Sequence, residues 1–99
     1  MALTFTDANF KTEVLDFKGV VVVDYWATWC TPCRIQGPII DALAEQMVGS
    51  TNLKIGKLDV DENGETAQQY KILSIPTVSI FKNGELMEAI VGLRSESDL

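Results

Sequence analysis

The chain has 99 residues, 46% hydrophobic and 22% charged, enough for one compact core and too few for two. A formal charge of −6 argues against nucleic acid as a partner, because an acidic chain gains little from counterion release. The absence of histidine removes every Ser-His or Cys-His mechanism and every histidine-bound metal site.

Met1 to Asp7 has no basic flank followed by an apolar run, so no signal peptide and a cytoplasmic location are expected. Asp7 to Leu15 predicts a short helix capped by Thr6 or Asp7, with Phe10, Val14 and Leu15 at helical spacing and Lys18-Gly19 ending it. Val20 to Trp26 is β-branched and nearly continuous in hydrophobicity, as in a central strand buried on both faces, with Asp24 as the anomaly. Its run Val20 to Val23 is the longest unbroken apolar stretch, far short of the roughly 20 residues that span a bilayer.

A helix is expected from about Cys30 or Pro32 to Val48. Pro32 suits a first turn, Pro38 should kink the helix, and Ile35, Ile39, Leu43 and Met47 are the expected buried face. Gly49-Ser50 stops it. Leu53 to Val60 predicts a strand, Asp61 to Gly64 a turn, and Glu65 to Tyr70 a short helix. After Ile75-Pro76-Thr77 come the strand Val78 to Lys82, the hairpin signal Asn83-Gly84 and the returning strand Leu86 to Val91. Gly92 breaks that strand, and Ser95 to Asp98 opens a last helix. Alternating β and α elements followed by a hairpin predict one α/β domain over residues 1–99 with a mixed sheet.

The only cysteines are Cys30 and Cys33. Residues three apart on a helical turn are neighbours, so the two sulfurs can meet. Cys30 stands first, where free N–H groups and the helix dipole stabilise a thiolate. Cys33, one turn inward, should be more shielded and suited to resolve rather than attack. Two other readings stand beside this one: half of a zinc site, which lacks its other ligands here, and an inert pair of core cysteines. Asp24 is costly to bury unless neutralised or paired. It reads either as a satisfied structural acid or as a proton acceptor beneath the dithiol, with Lys57 on the next strand as a partner. From the sequence alone a trans bond before Pro76 is the default.

Trp29-Cys30-Thr31-Pro32-Cys33 after a strand, then Ile75-Pro76-Thr77, Phe81-Lys82-Asn83-Gly84 and Val91-Gly92, together resemble the thioredoxin family over almost the whole chain. The resemblance implies a thioredoxin fold and a protein-disulfide reductase. It assigns the attacking thiol to Cys30, the resolving thiol to Cys33, the buried acid to Asp24 and its lysine neighbour to Lys57. Pro76 matches the cis-proline facing the dithiol and Pro38 the helix-kinking proline. Trp29, Thr31, Pro32, Ile75, Pro76 and Gly92 become the client-binding surface. No bound cofactor or metal is implied; electrons would come from NADPH through a thioredoxin reductase. Client proteins with disulfides and that reductase are the implied partners, with no nucleic acid and no membrane.

Two departures stand out. Thr31 replaces the family's usual glycine, and the closing amphipathic helix looks truncated at Leu99, which would uncover a sheet face. A monomer is expected, with a dimer through that face as the alternative. The competing functions are a disulfide isomerase or oxidant of the same fold, and a non-catalytic binding module.

Overall fold

The computed structural model describes residues 2–94. In chain order it has β1 (Leu3–Thr4), a π-helical turn (Lys11–Leu15), β2 (Val20–Trp26), α1 (Thr31–Gln46), β3 (Leu53–Asp59), α2 (Gly64–Gln69), β4 (Thr77–Lys82) and β5 (Glu85–Val91). The strands form one mixed sheet in the order β1-β3-β2-β4-β5. β2 runs parallel to β3 and antiparallel to β4, and β5 returns antiparallel to β4.

Alternation along β2 sorts its side chains. Val21, Val23 and Tyr25 join Phe5, Phe10, Val14, Leu58 and Phe81 in the larger core cluster. Phe10, Tyr70 and Phe81 meet there with ring centroids 5.4–5.6 Å apart, a spacing at which edge-to-face rings attract. The opposite face lies under α1, where Ile40 packs with Ile55 and Val78, and Val22 and Leu43 lean on them. Asp24 follows Val22 by two residues, so parity sends its carboxyl to the α1 side.

Several expectations change. Asp7–Asn9 is a turn, and the helical residues that follow are wound as a π turn, closed by Asp16 N–H donating to the Lys11 carbonyl at 2.8 Å. Thr6 closes the turn ahead of it: its hydroxyl accepts from Asn9 N–H, and the Asn9 side-chain carbonyl accepts from Thr6 N–H. Asp7 instead caps α2, accepting from the N–H groups of Glu65 and Thr66 and from the Thr66 hydroxyl.

The buried face of α1 is Cys33, Gln36, Gly37 and Ile40, while Ile35 and Met47 are exposed. A spacing of four residues drifts by about 40° per step on a helix of 3.6 residues per turn, so the expected stripe could not stay on one face. β1 is an additional edge strand, parallel to β3. Asn83 and Gly84 both take positive φ, as a two-residue hairpin requires, and a Cβ on Gly84 would strike the Leu15 carbonyl. On β5, Leu86, Met87 and Val91 are exposed. The helix start expected at Ser95 to Asp98 lies outside the described residues.

Candidate active site

The C-terminal end of β2 delivers the chain through Ala27 and Trp29 to the start of α1. Cys30 is the N-cap of that helix and Pro32 lies in its first turn. Cys30 and Cys33 are joined as a disulfide, and Cys33 N–H donates to Cys30 Sγ at 3.2 Å. The same free N–H favours negative charge on that sulfur once the bond is opened. The pair packs among Ala27, Trp26, Val60 and Ile75.

As residues the two cysteines are buried almost equally, with Cys30 4% and Cys33 3% exposed, so whole-residue burial does not set Cys33 apart as the sequence suggested. What separates them is what each one faces. Cys30 Sγ lies 3.7 Å from the Ile75 carbonyl oxygen, on the outer rim. Cys33 lines a cleft of about 440 Å³ that also holds Asp24, Trp26, Arg34, Gly37 and Lys57.

The rim joins three separate elements. The Ile75–Pro76 bond is cis, against the trans default of sequence alone and in line with the resemblance. Gly92 N–H donates to the Pro76 carbonyl at 2.9 Å, which fixes the end of β5 beside that loop. Trp29 is 66% exposed yet held in place, because its indole N–H donates to Asp61 at 2.8 Å. Thr31 and Pro32 are exposed on the first turn of α1. Pro38 lies farther along α1, on its exposed side.

Beneath the disulfide, Asp24 is fully buried and neither carboxylate oxygen has a hydrogen-bond partner among the described residues. Desolvation raises its pKa from 3.8 to about 7, opposed by the charge of Lys57 and reinforced by that of Asp41. Lys57 pairs with Asp24 in strand register, as its depth suggested. Its ammonium, however, makes its ion pair with Asp41 on α1, at 3.0 Å.

Gln36 and Asp41 escaped the sequence reading. Gln36 is fully buried one turn beyond Cys33, and its amide exchanges two hydrogen bonds with the Arg94 backbone. No local signal marks a buried glutamine. Asp41, eight residues after Cys33, is visible only as one of many acids. Among the described residues no group of three or more cysteine or acidic side chains gathers as a metal site, and no helix is long and apolar enough to cross a membrane.

A thioredoxin family model matches residues 1–99. The thioredoxin of Mycobacterium tuberculosis (strain ATCC 25618 / H37Rv) is 44% identical over 94 residues, 95% of this chain and 79% of that protein. That of Synechocystis sp. is 48% identical over 87 residues, covering 88% of this chain and 79% of the relative. The thioredoxin of Rickettsia conorii is 42% identical over 99 residues, the whole of this chain and 92% of its own length. The mixed sheet, the helix that opens on Cys30 and the Cys30–Cys33 disulfide agree with these matches. The chain belongs to the thioredoxin family, and its Cys30–Cys33 pair makes it a thiol–disulfide oxidoreductase that acts as a protein-disulfide reductase.

Proposed function

We propose that this chain works as a single, monomeric, cytoplasmic thioredoxin domain, recharged by an NADPH-dependent thioredoxin reductase, with Cys30 attacking and Cys33 resolving. The observation that carries the division of roles is the different surroundings of two cysteines of nearly equal burial: the rim for Cys30, the cleft containing Asp24 for Cys33.

In the first step Cys30 thiolate attacks one sulfur of a client disulfide. That S–S bond breaks, the other client sulfur leaves as a thiolate, and Cys30 is joined to the client. In the second step Asp24, as carboxylate, accepts the Cys33 proton. Cys33 sulfur attacks Cys30 Sγ, the Cys30–client bond breaks, and the second client sulfur leaves as a thiolate. Two electrons have passed to the client, whose thiolates take up protons, and the chain holds a Cys30–Cys33 disulfide. With a pKa near 7, Asp24 exchanges its proton in the range where the reaction runs.

The client lies on the surface formed by Trp29, Thr31, Pro32, Ile75, Pro76 and Gly92. An extended peptide finds a flat indole, an apolar side chain and the backbone edge at Ile75. Lys57 tunes the charge below.

Reduction of insulin by NADPH and a bacterial thioredoxin reductase, with this chain as sole intermediary, tests the reading. Catalytic NADPH consumption is the expected result. Consumption no faster than with the Cys30→Ser, Cys33→Ser double variant overturns the proposed route.

A further inference from the structure

Lys57 stands between two clefts. It lines the cleft that holds Asp24 and Cys33, and also a second one, of about 460 Å³, that holds Asp41, Asp59 and Glu62. Trp26 and Thr28 are shared between the two, whereas Asp24 lines only the first and Asp41 only the second. The ammonium is drawn toward the second cleft, at 3.0 Å from Asp41 Oδ2, while both oxygens of Asp24 are without a hydrogen-bonding partner among the described residues. Gly37 makes the passage: a Cβ there would stand 3.3 Å from Lys57 Nζ. Gly37 and Asp41 are four residues apart on α1 and therefore on one side of the helix. One turn thus makes room for the ammonium and the next turn holds it.

We propose that Asp41 is a positioning residue: its carboxylate holds the Lys57 ammonium in the outer cleft and so sets how tightly the buried Asp24 carboxyl holds its proton. A lysine bonded directly to Asp24 would stabilise the carboxylate and make it a poorer acceptor for the Cys33 proton. A lysine held one cleft away leaves the carboxyl unpartnered in a dry site, where the neutral form is favoured.

Among the described residues, few charged or titratable groups stand near Asp24. β3 contributes Lys57, and α1 contributes Cys33, Arg34 and Asp41. From β4 the register partner is Val78, flanked by Thr77 and Ser79, none of which titrates in this range. The consequence for turnover rests on Asp24 acting as the proton acceptor; the placing of Lys57 does not.

The test is a carboxyl ¹³C NMR titration of Asp24 in the reduced full chain, in wild type, Asp41→Asn, Asp41→Glu, Lys57→Met and the Asp41→Asn, Lys57→Met pair. Asp41→Asn should lower the Asp24 midpoint by ~1 pH unit as the released ammonium turns inward. Asp41→Glu, which keeps the charge, should restore most of the wild-type value. In the Lys57→Met background Asp41→Asn should move the midpoint far less. An unchanged midpoint in Asp41→Asn overturns the proposal, and so does a shift equally large without Lys57, which would be plain repulsion between carboxylates. Insulin reduction against pH separates the two readings. If the Asp24 midpoint moves and the rate profile does not, the positioning role of Asp41 stands and Asp24 is not the proton acceptor.

Discussion

Gln36 and Arg94, 58 residues apart, are joined by two reciprocal hydrogen bonds: Gln36 Nε2 donates to the Arg94 carbonyl at 3.1 Å, and Arg94 N–H donates to Gln36 Oε1 at 2.8 Å. The side-chain amide offers a donor and an acceptor side by side, as a strand residue does. It thereby ties the segment after Gly92 to the helix that carries the disulfide. Replacing Gln36 by Leu keeps the volume and removes both bonds. The expected loss is about 1–3 kcal/mol, or a fall in Tm of about 5–15 °C for a domain of this size. Thermal unfolding followed by circular dichroism measures it. A Tm within a degree or so of wild type would show that water satisfies Arg94 equally well.

Asp24 predicts a dependence of stability on pH. Its folded pKa, raised by desolvation from 3.8 to about 7, means that between those values the native chain keeps a proton the unfolded chain has released. Stability therefore falls as pH rises through this window, by up to about 1.4 kcal/mol per pH unit. Asp24→Asn should flatten the curve and exceed wild type in stability above pH ~7. Asp7, held below its ordinary value chiefly by the Thr66 hydroxyl, acts in the opposite sense and only in acid below that window. Urea midpoints at about pH 5, 6.5 and 8 decide it; parallel trends in wild type and Asp24→Asn would sink the prediction.

The two cysteines should separate cleanly in mutants. Cys30→Ser abolishes insulin reduction because no attacking sulfur remains on the rim. Cys33→Ser still completes the first exchange and accumulates a chain–client mixed disulfide, visible on a non-reducing gel. In the reduced wild type, iodoacetamide should label Cys30 first. Faster labelling of Cys33 would reverse the roles.

Asp7 should matter to α2, a helix of six residues that begins without a cap of its own. Its carboxylate serves two N–H groups and a hydroxyl across a sequence gap of 58–59 residues. Asp7→Ala should cost about 1 kcal/mol, the usual value of an N-cap, and lower Tm by about 4–8 °C. Hydrogen exchange at Thr66 and Ala67 should quicken in the variant. Unaltered exchange there would mean that packing alone holds α2.

What the sequence disclosed depended on how local the cause was. β2 was legible residue by residue, because Val20 to Val23 have one comfortable conformation in a buried sheet. Asn83-Gly84 was legible because few dipeptides tolerate two positive φ values in succession. Cys30 at a helix start was legible from Pro32 and the strand before it. β1 was missed because two residues carry no period. The face of α1 was misplaced because Gln36 and Gly37 are buried for reasons of hydrogen bonding and room, which hydrophobicity does not encode. The Lys57–Asp41 pair and the Asp7 cap arise only when distant segments meet. The sequence pointed to Lys57 beside Asp24 correctly in depth, and the ion pair to a third residue was beyond any local pattern.

The near-complete burial of both cysteine residues has a kinetic meaning. Each residue is less than 5% exposed, so a reagent reaches the disulfide from few directions. It must arrive along the rim beside Ile75 and align with the axis of the S–S bond. A small thiol has to find that line unaided, whereas a polypeptide resting on the proposed client surface at Trp29 and Gly92 would be held in it. On the proposed client surface, docking would therefore favour exchange with a polypeptide over exchange by chance collision.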